Sequence, residues 1–416
     1  MKIKSFIFVF IIYLFTVFSI SNAQEESRTT FWEVQSIDTM KYSRDLAREK
    51  LNVRSFDAVI DQQIKAIAGT GATHVAVGTP YDAEFLPMLR RWVAAARKYN
   101  LNVWFRGNWS GWEGWFDYPI ISRANHIALT EKFILNNENL FEDGDIFTAC
   151  PECENGGPGD PRHNGDVSGH RQFLINEYNK VQAAFEKIDK DVKASYFSMN
   201  GDVARLVMNK STTENLGGAV TIDHYVRTVE KLVSDIKNFA KISGGEVVLG
   251  EFGAPIPDIH GRLSKAGQAA WIESALEELV KIEELKGINY WTNIGGSTQL
   301  WNEKGMPAPA VEVIKSFYKP LLISGFVKDR LDRPIAGAIV KNNYRSATTR
   351  SNGYFELPYL KNDSLLQLNV SAEGYLDEVL NVATQNQQVE ITLVKQGGNF
   401  VYYLLSFIKM IFSFRH

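Results

Sequence analysis

From Trp32 to Tyr318, short apolar runs of β-forming residues alternate with longer stretches whose apolar positions recur three and four apart. This is the pattern of repeated strand–helix units around a parallel sheet. Eight runs carry the strand pattern: 34–40, 74–78, 103–106, 146–150, 194–199, 220–225, 247–251 and 288–293. Helical stretches fall between them, among them 56–68, 85–98, 127–135, 172–188, 229–240 and 269–285. Eight such units predict a closed (β/α)8 TIM barrel. An open doubly wound sheet is the alternative, but no G-x-G-x-x-G turn follows the first run and no G-x-x-x-x-G-K-[ST] loop occurs.

After Lys319-Pro320 the helical period disappears, and short alternating runs at 322–328, 339–342, 354–357, 365–372 and 389–394 are separated by turn residues. These predict a small Ig-like or transthyretin-like β-sandwich. The two ends are apolar. Residues 1–23 open with Lys2 and Lys4, run apolar from Phe6 to Ile20 and end in the small residues of Ser21-Asn22-Ala23, so a signal peptide cleaved before Gln24 and an extracellular or cell-surface location are expected. The tail from Phe400 to Phe414 is aromatic and aliphatic, broken by Lys409 and closed by Arg415-His416. It is shorter than the ~20 residues of a full span yet too apolar for water, so attachment to a membrane is expected; an interfacial helix or a strand packed on the sandwich are the alternatives. The expected divisions are signal peptide 1–23, barrel 24–320, sandwich 321–396 and tail 397–416.

The chain has 416 residues, which suits a barrel of about 250 plus a module of about 80. A formal net charge of -3 favours neither nucleic acid nor anionic lipid as a partner through bulk charge. Only two cysteines occur, Cys150 and Cys153, so no disulfide framework holds the fold, although a local bridge stiffening one loop is compatible with export. A thioredoxin-type role fits poorly, because the pair runs into Asn155-Gly156-Gly157-Pro158 and not into a helix.

The chemistry gathers at strand ends. Glu246 to Pro255 reads E-V-V-L-G-E-F-G-A-P, an apolar run delivering Glu251 between two glycines, and the fourth run, D-I-F-T-A-C-P-E-C-E, ends in Glu152 and Glu154. In a parallel barrel such positions lie on the rim where the βα loops converge. Cleaving a glycosidic bond needs an acid to protonate the departing oxygen and a second carboxylate opposite it.

On these residues, chiefly G-E-F-G at 250–253, the chain over about 30–318 resembles the large clan of retaining glycoside hydrolases built on (β/α)8 barrels. The resemblance implies Glu251 as nucleophile and Glu152 as acid/base, with Glu154 the alternative, and implies net retention; the expected substrate is a β-linked oligo- or polysaccharide, the length suited to several aromatic platforms. It also implies that Tyr225, in I-D-H-Y, orients the nucleophile, that His224 belongs to the substrate site, and that Trp291, in Y-W-T-N, is a platform beneath the sugar. No cofactor is implied. The patterns G-F-V-K-D, P-I-A-G-A-I-V, T-R-S-N-G-Y-F-E-L and L-N-V-S-A-E-G-Y resemble the carboxypeptidase regulatory-like sandwich, which implies a spacer or adhesion module.

Two departures stand out. Pro151 occupies the place where the clan carries an Asn that holds the sugar's 2-hydroxyl, leaving Asn155 as the substitute or shifting the acid to Glu154. The clan's arginine after strand two is missing, and Arg106 after strand three is the candidate cation beside Glu251, keeping it ionised while Glu152 stays protonated. The third βα loop, G-N-W-S-G-W-E-G-W-F-D-Y, offers Trp109, Trp112 and Trp115 as stacking faces and Asn108, Glu113 and Asp117 as hydroxyl partners. A zinc set from Cys150, Cys153, His163 and His170 has spacing unlike zinc-finger patterns, and no metal is expected. Because of Pro151, a barrel that binds sugar at a surface without cleaving it is the rival to the enzyme.

Overall fold

The computed structural model describes residues 29–385 and 388–396. The expected signal peptide and apolar tail lie outside the described residues, and among those described no helix is long and apolar enough to cross a membrane.

Eight parallel strands form one curled sheet: β1 (Val34–Asp38), β2 (His74–Val77), β3 (Asn102–Phe105), β4 (Ile146–Phe147), β5 (Ser198–Asn200), β6 (Ala219–Asp223), β7 (Glu246–Phe252) and β8 (Leu285–Tyr290). They are ordered β4-β3-β2-β1-β8-β7-β6-β5, and β4 meets the chain leading into β5 through the parallel bridge Ile146↔Lys193. The barrel-like sheet closes there on single bonds, with Phe147 N–H donating to Lys193 O and Lys193 N–H to Asp145 O, both at 2.9 Å. β4 and β5 are shorter than the apolar runs that foretold them, because Thr148 and Tyr196, which continue those runs, meet through the Thr148 hydroxyl at 2.7 Å and not through a backbone ladder. The helix expected over 269–285 spans Lys265–Leu279, and Leu285 already begins β8.

Strand alternation divides the side chains into two sets. One set fills the barrel: Val34, Ala76, Trp104, Ile146, Tyr196, Ala219 and Val248 form a closed apolar cluster at its lower end. Two residues further along β1, β3 and β6 come Ser36 and Asp38, Arg106, and Thr221 and Asp223, so the barrel turns polar toward the carboxyl ends of the strands. The other set, including Ile37, Val75, Val103, Val247 and Leu249, packs outward against the helices.

The C-terminal part is a two-sheet sandwich. One sheet has the order β11 (Ser346–Thr348), β10 (Ile339–Lys341), β13 (Leu365–Ser371), β14 (Glu378–Ala383); the other is β12 (Tyr354–Tyr359), β9 (Leu321–Asp329), β15 (Gln388–Leu393). β11 and β14 were not foreseen: both are sheet edges and mostly exposed, so they lack an apolar alternation. The sandwich docks on the end of the barrel where the strands begin. Arg345 donates to Phe31 O and, at 2.8 Å, to Val280 O; Lys341 pairs with Glu283 at 2.9 Å, and Tyr344 packs edge-on to Phe31. Among the described residues, the sandwich leaves the carboxyl ends of the strands, at the opposite pole, uncovered.

Candidate active site

Glu251 reaches the barrel interior through an irregularity in β7. Ile222 pairs with Leu249 but Asp223 with Glu251, so Gly250 is an extra residue, and the bulge turns Glu251 inward where regular alternation would turn it out. Gly250 is required here, since a Cβ would strike the Asp223 carboxylate and come within 2.9 Å of Ser198 Cβ. Asn289 of β8 holds the bulge by donating to Gly250 O at 2.8 Å.

Glu152 comes from the loop after β4. Its backbone is left-handed, φ 43° and ψ 49°, a conformation costing about 1–2 kcal/mol for a residue with a Cβ. Its N–H donates to Ser198 O at 2.7 Å. One carboxylate oxygen from each of Glu152, Asp223 and Glu251 lies within 4.8 Å of the others, so the turn after strand four and the ends of strands six and seven converge on one point. Glu154 points elsewhere: it is buried, accepts from Asn200 N–H at 2.7 Å, and its second oxygen has no partner among the described residues.

Arg106 is fully buried beneath this cluster. It donates to Asp38 at 2.8 Å, Ser198 at 3.1 Å, Asp223 at 3.2 Å and Glu251 at 3.4 Å. One guanidinium thus serves three carboxylates, with Glu152 close above. Burial pushes Glu251 up to about 7, against the lowering pull of Arg106, and the neighbouring Glu152 adds to the rise. Burial also carries Asp223 well above the usual carboxylate range. Arg106 does pull Glu251 toward the ionised form, as expected, but its charge is divided among three carboxylates and burial outweighs it. Asp38 and Asp223, which divide it, were not picked out from the sequence, although alternation along the first and sixth runs puts both on the inward face.

Tyr225 donates its hydroxyl to Glu251 Oε2 at 2.8 Å. Trp291 is half-buried and stands edge-on to Tyr225, with ring centroids 6.4 Å apart; Lys41 Nζ lies 5.6 Å over its ring. His224 faces away from the barrel, its Nε2 paired with Asp235 at 2.8 Å behind the strand, so it supports β6 and does not line the cluster.

The aromatic loop departs most from expectation. Trp109 and Trp112 are buried and offer no stacking face: Trp109 donates to Thr130 at 2.9 Å, while Trp112 stacks on Phe173 at 5.0 Å and meets His126 edge-on at 4.8 Å. Asn108 is buried as well, held by His126, Glu113 and the N–H of Trp109, and so is not free for a sugar hydroxyl. Trp115 is half-buried under the Arg44 guanidinium at 4.8 Å. Glu113, bonded to Asn108, is lifted by burial to about 8, with Glu152 among the charges that raise it. Asn155 is exposed on the turn after Glu152. Cys150 and Cys153 are joined in a disulfide across that turn.

Comparisons with known proteins agree with this architecture. The GH5_18 protein of Bifidobacterium longum subsp. longum, solved in complex with Manβ1-4GlcNAc, superposes with a TM-score of 0.52 at 14% identity, over 73% of this chain and 86% of that one. The GH5_18 protein of Streptomyces cattleya, in complex with the same disaccharide, gives 0.52 at 11% identity, over 71% and 84%. The larger domain has the fold of glycoside hydrolases. Residues 322–394 match the model of the carboxypeptidase regulatory-like domain. The β-glucuronidase 2 of Bacteroides uniformis aligns over 81% of this chain with a TM-score of 0.44 and 10% identity; the chain spans 44% of its length. No curated protein sequence matches the chain.

Proposed function

We propose that this protein is a glycosidase that cleaves a β-linked oligo- or polysaccharide with net retention, Glu251 acting as nucleophile and Glu152 as acid/base. The observation that carries the reading is the approach of the Glu152 carboxylate, on the turn after strand four, and the Glu251 carboxylate, near the end of strand seven, to within 4.8 Å. Retaining enzymes hold the pair about 5–5.5 Å apart, whereas inverting ones leave about 6.5–9.5 Å for a water.

In the first step Glu152 gives its proton to the departing oxygen while Glu251 attacks the anomeric carbon. Glu152, now the base, then takes a proton from the water that displaces Glu251. Arg106 and Tyr225 both donate to Glu251, which favours its ionised, nucleophilic form against the opposing effect of burial. Trp291 fits a sugar platform at the cleavage point. The apolar first segment and tail support export and attachment to a membrane, with the cleft at the pole away from the sandwich.

The test is turnover of residues 24–396 on a panel of β-linked glucans, mannans, galactans and xylans, following the anomeric configuration of the first product by NMR. Retained configuration that disappears in Glu251→Gln is the expected result. Binding of one glycan with no turnover by the unmodified protein would replace the enzyme by a surface sugar-binding protein.

A further inference from the structure

The two carboxylates of the proposed pair are held by different means. Glu251 belongs to a seven-residue strand paired on both sides. Glu152 keeps only one bond to the sheet, from its N–H to Ser198 O of β5 at 2.7 Å: β4 ends at Phe147, Thr148 N–H makes one further bond to Phe105 O, and the chain then turns across Cys150-Pro151-Glu152-Cys153. Across that turn lies the disulfide, with Cα atoms 5.2 Å apart and both cysteines buried. Pro151, with its fixed φ, and the left-handed Glu152 fill the ring that it closes.

The ring is anchored from behind by the aromatic loop. Asn108 Nδ2 lies 3.6 Å from Cys150 Sγ, Trp112 Nε1 donates to Cys153 O at 3.2 Å, and Gly157 N–H donates to Trp112 O at 3.0 Å. Gly156 and Gly157 lie so close to Trp112 that a Cβ on either would strike it. The loop that looked like a row of sugar-stacking faces is the backing of the turn.

We propose that the Cys150–Cys153 disulfide is the positioning device for the general acid, holding Glu152 in its left-handed conformation opposite Glu251 in place of the strand ladder that β4 lacks. This rests on reading Glu152 as the acid. Opening the bond releases the turn to extended backbone and takes the carboxyl away from the departing oxygen, while Glu251, Tyr225 and Arg106 stay in place.

The experiment compares the full oxidised protein with the same protein treated with a phosphine and with the variant Cys150→Ala/Cys153→Ala, which supplies the open form where the buried bond resists reduction. The phosphine gives two electrons and takes the oxygen of one water, whose two protons end on the sulfurs. Two readouts are used. Hydrogen exchange at the Glu152 amide, followed in a peptide over 148–156, is expected to accelerate about tenfold or more on opening while 246–252 is unchanged, as for a local loss of protection. The kcat/KM for an oligosaccharide is expected to fall about 30-fold or more, and that for the 2,4-dinitrophenyl glycoside of the same sugar about threefold or less, because dinitrophenolate leaves without a proton. Azide, which attacks the glycosyl–Glu251 ester without a base, is expected to restore kcat on the aryl substrate.

Equal losses on both substrates would reduce the bond to a general brace of the fold. An unchanged Glu152 amide in the open form would overturn the proposal whether or not the protein turns over sugar. Absence of turnover in the oxidised protein, with the exchange response intact, would remove the enzymatic reading and leave the positioning of Glu152 standing.

Discussion

Replacing Glu154 by Gln separates the two candidate acids and measures what the buried one costs. Glu154 is 2% exposed, with one oxygen on Asn200 N–H and the other without a partner, and burial lifts it from 4.5 to about 7. A carboxyl raised on folding contributes stability that is fully present below its unfolded value and lost as pH rises through its folded value. At about 1.4 kcal/mol per pH unit, the interval from 4.5 to about 7 amounts to about 3 kcal/mol lost by pH 8. Gln keeps the acceptor for Asn200 and cannot ionise. Glu154→Gln is therefore expected to match the unmodified protein at pH 4.5 and to exceed it by up to about 3 kcal/mol at pH 8. Urea unfolding at both pH values, followed by tryptophan fluorescence, measures the difference. Turnover should stay within about threefold, whereas Glu152→Gln should cost about 10²–10⁴-fold as the loss of general acid catalysis. A stability difference that does not vary with pH would refute the account of Glu154, and a Glu154→Gln protein as inactive as Glu152→Gln would return the acid role to Glu154.

Removing the hydroxyl that orients the nucleophile, in Tyr225→Phe, should lower kcat/KM about 10–100-fold, the equivalent of a hydrogen bond to a charged group, with little change in unfolding midpoint. Arg106→Met should destabilise the protein by about 3–5 kcal/mol by leaving buried carboxylates uncompensated, and should move the acidic limb of kcat/KM to higher pH. In the unmodified protein that limb should lie near pH 7, because burial holds Glu251 at about 7 and activity rises as it ionises; a limb near 4.5 would contradict this. Trp112→Ala should cost about 3–5 kcal/mol in denaturant unfolding as a core truncation, while Trp291→Ala should leave the unfolding midpoint close to that of the unmodified protein and act on KM and kcat.

Pro151 is buried in the disulfide turn immediately before Glu152. The left-handed Glu152, bonded through its N–H to Ser198 O, comes off a turn and not off a strand end, so the position before it has no strand face from which to present a side chain to the sugar. The Asn108–Glu113 pair packs against the turn, with Asn108 Nδ2 3.6 Å from Cys150 Sγ of the disulfide.

How much of this could be read from the chain follows from the range of the forces involved. Apolar period is local, so the sequence determined the order of strands and helices, the change to a sandwich after Pro320, and the clustering of acids at the ends of the fourth and seventh runs. Tyr225 beside Glu251 was implied by the resemblance of I-D-H-Y to the clan's motif and not by the apolar period, and the Tyr225 hydroxyl does donate to Glu251. Side-chain direction at the rim is not local in this sense. One extra residue at Gly250, accommodated only because Asp223 and Ser198 crowd the position, turns Glu251 inward, and a left-handed turn directs Glu152 and Glu154 to different places. Nor is burial local for an aromatic loop: Trp109 and Trp112 read as exposed platforms until Thr130, His126 and Phe173 from later helices cover them. The tertiary structure alone decided that one arginine is shared among Asp38, Asp223 and Glu251, because electrostatics at a buried point sums over every strand that reaches it, however far apart those strands lie in the chain.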